Sequence, residues 1–169
     1  MTDKLSRSQL AQRLASIKLL SLDVDGVLTD GGLYYSDDGR QLRKFNVKDG
    51  LGIQRAMEAG LEVAMVSAGS MPTINQRAET LGVRHVFTGV SDKLETVRGL
   101  CRELGIGLNE AAHMGDDLTD LGLMESVGCP ITVLDAVAEV IEVSAYVTER
   151  PGGGGAVREI CDLLVASRG

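Results

Sequence analysis

The sequence predicts an α/β fold: a single domain spanning residues 1–169, in which a parallel sheet carries helices on both faces and a β-hairpin is inserted after the first strand. Three observations carry this. Short apolar runs alternate with amphipathic stretches from residue 17 onward, the rhythm of repeated strand–helix units. The apolar residues are mainly Val, Leu, Ile and Ala, with 3% aromatic residues and no tryptophan, which suits strands buried on both faces. Glycine occurs 21 times, where average usage of ~7% gives roughly 12, so many backbone positions turn sharply or approach a neighbour closely.

In chain order, Leu10, Leu14 and Ile17 stand at helical spacing, so residues 1–16 read as a short leading helix docked outside the main fold. Strands are expected at 17–24, 61–67, 85–88, 111–114 and 129–133. Helices are expected at 50–59, 72–81, 92–104, 118–126 and 136–143, several closed by Gly60, Gly82, Gly105 or Gly128 at a C-cap. One stretch breaks the rhythm. Residues 32–47, with Ser36-Asp37-Asp38-Gly39 at the centre, read as a β-hairpin with Asp-Gly in its turn. Residues 151–155, a proline and four glycines, form either a hinge for a mobile tail or a loop of close backbone approach.

Composition excludes several functions. Lys and Arg total 17 against 24 Asp and Glu, a formal charge of −7, which leaves no cationic surplus for a nucleic-acid backbone. Cys101, Cys129 and Cys161 form no CxxC pair, and His85 and His113 are the only imidazoles, so neither a disulfide framework nor a structural zinc site is expected. A reducing cytoplasm fits. No apolar run approaches the ~20 residues of a membrane span, since residues 17–28 are interrupted by Lys18, Asp23 and Asp25.

The chemistry-bearing residues fall at strand ends, where ligands gather in parallel α/β folds. Residues 23–31, DVDGVLTDG, put Asp23 and Asp25 two positions apart beside Gly26 at the end of the first strand. Such a pair suits an aspartate nucleophile, an acid/base and a shared Mg²⁺ with hard oxygen ligands, although alone it reads equally well as a polar turn. Ser67-Ala68-Gly69 ends the second strand with a hydroxyl and backbone N–H groups for phosphate. GVSDK (89–93) puts Lys93 at a helix start as a cation, and HMGDDLTD (113–120) places Asp116 where it can complete a metal's oxygen set.

This order of nucleophile, phosphate donor, cation and metal ligand resembles the haloacid-dehalogenase superfamily of aspartate-nucleophile phosphotransferases. DVDGVLTDG, FNVKDGLGI (45–53), GVSDK, GDD (115–117) and YVTERPGGGGAVRE (146–159) resemble its capless subgroup, which contains 3-deoxy-D-manno-octulosonate 8-phosphate phosphatase and nonulosonate 9-phosphate relatives. The resemblance runs in register from 17 to 164. It implies a Rossmann-like sheet and a Mg²⁺-dependent phosphomonoesterase of a phosphorylated keto-deoxy sugar acid on the route to lipopolysaccharide precursors. It also implies a cytoplasmic homotetramer whose hairpins form a central barrel. By the same resemblance Asp23 is the nucleophile and Asp25 the acid/base, and Ser67, Gly69 and Lys93 cradle the phosphate. Asp23, the Asp25 main-chain carbonyl and Asp116 hold Mg²⁺, with Asp117 and Asp120 orienting that shell. Arg77 is assigned to substrate binding; Arg43, Lys44 and Lys48 face either a carboxylated sugar or solvent, and His113 is assigned to packing.

One departure stands out. The subgroup shows Thr-Gly-Arg where this chain has Ser67-Ala68-Gly69-Ser70, so Ser70 is expected to replace the arginine, with an inserted Ala68 leaving the register of Gly69 open by one residue. Three rival readings remain for comparison: a nonulosonate 9-phosphate phosphatase, a catalytically silent phosphatase-like scaffold, and a two-component receiver domain. The last is excluded by chain order, because no Asp ends the third strand.

Overall fold

The computed structural model describes residues 4–168. Its centre is a six-stranded parallel sheet of β1 (Leu19–Leu22), β4 (Glu62–Val66), β5 (His85–Phe87), β6 (Ala111–Gly115), β7 (Cys129–Thr132) and β8 (Tyr146–Val147), in the order β5-β4-β1-β6-β7-β8. The first strand lies centrally, with Leu20 paired in register to Val63 on one side and Ala112 on the other. Strand β8 and the last helix, α7 (Ala156–Ala166), were not expected from the sequence.

Strand alternation divides the core. Leu20, Leu22, Val63, Met65, Ala112 and Met114 face one layer, built by α1 (Arg7–Leu14), α2 (Val47–Glu58), α3 (Pro72–Leu81) and α7. Leu19, Ala64, Val66 and Ala111 face the other, which holds α4 (Lys93–Leu104) and α5 (Leu121–Met124). Ser21 and His113 sit among these apolar positions, fully buried.

The leading helix is not outside the fold: Leu10, Leu14 and Ile17 are buried in the main core, so α1 is part of the layer that covers the sheet. The C-terminal segment is likewise no tail. Ala156, Val157, Ile160, Cys161 and Leu164 of α7 are buried, and Asp49 Oδ1 on α2 accepts a 2.8 Å hydrogen bond from Arg158 N in the first turn of α7. The N-cap of α7 is Gly155, without a side chain, so a carboxylate from another helix satisfies its orphan N–H groups.

Of the two readings of residues 151–155, close approach is the one observed. Gly153 N donates to the Val27 carbonyl at 2.9 Å, and a Cβ at Gly152 would lie 1.8 Å from the Gly26 carbonyl oxygen. The glycines thereby back the loop that carries Asp23 and Asp25. Gly82 and Gly105 are left-handed caps as expected, whereas Gly128 has no positive φ and instead packs against the Asn109 carbonyl.

The insertion is a separate two-stranded antiparallel sheet, β2 (Tyr34–Tyr35) and β3 (Gln41–Leu42), closed by Ser36 N to Arg40 O and Gly39 N to Ser36 O hydrogen bonds of 2.9 Å each. Its ladder is shorter than 32–47. Arg43 leaves it, and Asn46 caps α2 by accepting from Lys48 N at 2.8 Å, so that helix starts at Val47 rather than at residue 50. Among the described residues no helix is long and apolar enough to cross a membrane.

Candidate active site

The C-terminal ends of β1, β4 and β6, with the start of α4, enclose a cavity of about 170 Å³ lined by Asp23, Asp25, Ser67, Ala68, Gly69, Lys93, Asp116, Asp117 and Thr119. Seven of the sequence-derived candidates therefore converge: Asp23, Asp25, Ser67, Gly69, Lys93, Asp116 and Asp117. Parallel strands starting from one edge deliver their following residues to the opposite one, which is why residues 93 positions apart in sequence meet.

Asp23 is the first residue after β1 and almost fully buried. Its Oδ1 accepts from Val24 N at 2.8 Å and from Lys93 Nζ at 2.9 Å. Burial, and next the Asp120 carboxylate, push its pKa upward, while Lys93 opposes them. Lys93 Nζ also donates to Asp120 Oδ1 at 2.6 Å. Burial alone favours a neutral lysine, yet the two carboxylates outweigh it and hold the ammonium form.

Asp120 anchors the floor. It is fully buried; Oδ1 is also 2.9 Å from His113 Nε2, and Oδ2 accepts from Asp116 N at 3.2 Å and Asp117 N at 3.4 Å. Against the cost of its burial, the His113 and Lys93 partners pull its pKa down to about 2. His113 Nδ1 is in turn 3.1 Å from Ser21 Oγ. His113 is thus a polar member of the site's support rather than a packing residue, and one strand position, alternating toward α4, was the only hint in the sequence.

The expected metal set is tested by its free oxygens. Asp23, Asp116 and Asp120 each bring a carboxylate oxygen within 4.8 Å of the others. Asp120 is already saturated by Lys93, His113 and two backbone N–H groups, so it serves as a brace. Asp116 Oδ1 is buried with no hydrogen-bond partner among the described residues. Burial, with the Asp23 and Asp120 carboxylates beside it, pushes Asp116 up to about 8. A divalent cation with hard oxygen ligands fits this orphaned, mutually repelling pair, Asp23 and Asp116. Gly26 is shaped for it: φ is +90°, and a Cβ there would lie 2.0 Å from Asp116 Oδ2. Asp117, expected to orient the metal shell, instead caps a short 3-10 turn by accepting from Leu118 N at 2.7 Å.

Two arginine expectations change. Arg77 does not line the cavity: its Nη2 donates to the Asn46 carbonyl at 3.1 Å, with the guanidinium 5.6 Å from the Phe45 ring centroid. It fastens the start of α2. The arginine at the site is Arg43, whose Nε and Nη2 donate to Asp25 Oδ1 and Oδ2 at 2.6 and 3.1 Å. Position 69, not 70, faces this pair, because a Cβ on Gly69 would lie 3.3 Å from Asp25 Oδ2, whereas the Ser70 side chain packs against Gly89. Ser67 Oγ accepts from Gly69 N at 3.0 Å and shapes the turn between them.

The chain is similar to known proteins of one family. Residues 85–160 match the haloacid dehalogenase-like hydrolase family. The chain is 44% identical over 154 residues to the 3-deoxy-D-manno-octulosonate 8-phosphate phosphatase of Escherichia coli K12, covering 91% of this chain and 82% of that one. The enzyme of the same name from Moraxella catarrhalis, solved with magnesium ion, phosphate ion and KDO, superposes with a TM-score of 0.92 at 38% identity, over 95% of this chain and 92% of that one. The cobalt-bound phosphatase of Haemophilus influenzae gives a TM-score of 0.89 at 36% identity, over 93% and 92%. The chain belongs to the haloacid dehalogenase-like hydrolases, in the family of the 3-deoxy-D-manno-octulosonate 8-phosphate phosphatases.

Proposed function

We propose that this protein is a Mg²⁺-dependent phosphatase that hydrolyses 3-deoxy-D-manno-octulosonate 8-phosphate through an aspartyl-phosphate. The observation that carries the reading is the convergence of Asp23, Asp25, Lys93 and Asp116 on one cavity of about 170 Å³ at the strand ends. That volume is below the ~300–1,000 Å³ that enclose a whole small-molecule ligand, so it suits the phosphoryl group and leaves the sugar outside.

Asp23 carboxylate attacks phosphorus as the bond to the sugar oxygen breaks, and the Asp25 carboxyl gives its proton to that oxygen, releasing the alcohol. Asp25, now a carboxylate, takes a proton from water as the water oxygen attacks the aspartyl-phosphate phosphorus; phosphate leaves and Asp23 is restored. Lys93 keeps Asp23 aligned and offsets negative charge, and the Ser67–Gly69 turn supports the phosphoryl oxygens. Asp23, the Asp25 carbonyl and Asp116 would hold Mg²⁺, which supplies charge neutralisation when bound.

The exposed sugar needs a cover, and the hairpin offers the means. Leu33, Tyr34, Tyr35, Leu42 and Val47 are all exposed there, an apolar surface that we assign to a homotetramer with hairpins at its centre. Three free, buried cysteines suit a cytoplasmic location. Tyr35→Asp combined with Leu42→Asp should yield smaller species by light scattering and lower turnover; a fully active wild-type monomer contradicts the assembly. The functional reading is tested by Mg²⁺-dependent turnover of the eight-carbon keto-acid phosphate and two nine-carbon analogues. Highest kcat/KM on the eight-carbon ester supports it, a nine-carbon preference replaces the substrate, and no turnover of any ester identifies a scaffold.

A further inference from the structure

We propose that Arg43, carried by the inserted hairpin, is the positioning residue of the acid/base Asp25, and that Gly69 is small so that its guanidinium fits. The inference rests on the role given to Asp25 above. Arg43 follows β3 in a hairpin whose Tyr34, Tyr35 and Leu42 are exposed, yet its own side chain is 4% exposed. Its fork meets both oxygens of Asp25, at 2.6 and 3.1 Å, a bidentate contact that fixes the carboxyl plane rather than merely its charge. Nη1 lies 3.5 Å from Gln41 Oε1, on the strand that carries it.

The cavity wall opposite is shaped for this pair. An added Cβ at Gly69 would lie 3.3 Å from Asp25 Oδ2, 3.4 Å from Arg43 Nη2 and 3.4 Å from Ser67 Oγ. A longer side chain would enter the volume that the guanidinium occupies. Asp25 follows the strand by three residues and its side chain is 34% exposed, so nothing else among the described side chains holds it: no other side-chain hydrogen bond reaches its carboxyl. An acid that must deliver its proton to the ester oxygen, then collect one from water, requires that its plane be held across both steps. Arg43 holds it and leaves the second lone pair of each oxygen for the proton.

A residue acting through a general acid has a signature in leaving groups. The test measures kcat/KM, with Mg²⁺ and full-length enzyme, for three esters: p-nitrophenyl phosphate, whose phenolate leaves without a proton; benzyl phosphate, whose alkoxide needs one and which has no carboxylate; and 3-deoxy-D-manno-octulosonate 8-phosphate. Arg43→Ala should lose about 10–100-fold on the last two, the worth of a charge-assisted contact, and less than about threefold on the first. Arg43→Lys, which keeps the charge without the fork, should fall between and serves if the alanine variant does not fold. An equal loss on all three esters makes Arg43 merely structural, and a loss on the sugar-acid ester alone makes it a substrate-carboxylate contact; either overturns the proposal. Asp25→Asn should show the same leaving-group pattern more strongly. If instead Asp25→Asn is flat across the esters, the acid role of Asp25 fails, whatever Arg43 does.

Discussion

Replacing Lys93 by Met keeps the length of the side chain and deletes its charge where the structure can least absorb the loss. Nζ lies 2.9 Å from Asp23 and 2.6 Å from Asp120, with the lysine side chain 3% exposed. Removing one partner of such a buried pair costs about 3–5 kcal/mol, because the carboxylates left behind cannot recover water. At ~2–4 °C per kcal/mol for a domain of this size, melting should fall by about 6–20 °C. The penalty should depend on pH. Burial and Asp120 already raise Asp23, and without the ammonium it rises further, so the folded variant binds a proton that the unfolded chain does not. Such a raised carboxyl stabilises fully below its unfolded pKa, and that contribution is lost as pH climbs through the folded value. The penalty measured by urea unfolding in EDTA should therefore be about 1–3 kcal/mol smaller at pH 5 than at pH 8. Adding Asp120→Asn, which removes one uncompensated charge, should restore part of it. A penalty under about 1 kcal/mol at pH 8, or one that does not vary with pH, would refute the assignment of Lys93 as counter-ion to two buried carboxylates.

Asp23→Asn should fold and lose essentially all turnover, whereas wild-type-like activity would end the covalent mechanism. Asp116, held at about 8 by burial and its acidic neighbours, must shed a proton to bind a cation, so Mg²⁺ affinity should rise up to about tenfold per unit between pH 6 and 8 and then level. Calorimetry in two buffers of different ionisation enthalpy reads the released proton directly, and no release at pH 6.5 contradicts the assignment. Gly152→Ala, whose Cβ would lie 1.8 Å from the Gly26 carbonyl, should destabilise by about 1–3 kcal/mol or more and impair turnover by shifting the Asp23 loop; an unchanged melting temperature would mean that the loop gives way freely.

Position along the strands made the candidate set legible. Asp23, Ser67, Lys93 and Asp116 each follow an apolar run or open a helix, and parallel topology alone brings such residues to one edge. What stayed hidden depended on contacts between distant segments. Arg43 read as a cation facing either a carboxylated sugar or solvent, because its turn toward Asp25 is dictated by that carboxylate and the space at Gly69, neither of which alternation reports. The register at 67–70 could not be fixed until the Cβ direction of Gly69 was known. Helix α7 was masked by the four glycines before it, which read either as a hinge for a mobile tail or as a loop of close approach; the close approach is observed, and Asp49 supplies the missing cap. His113 sits in an apolar strand, where its hydrogen bonds to Asp120 and Ser21 leave no trace in hydrophobic pattern.

In the proposed mechanism phosphate passes through Asp23. Rapid acid quench during turnover, followed by borohydride reduction, converts an acyl phosphate to homoserine, which peptide mass spectrometry locates in the chain. Homoserine is expected at position 23, dependent on substrate and Mg²⁺ and lost in Asp23→Asn; active enzyme that yields homoserine at another aspartate, or at none, would contradict the covalent route.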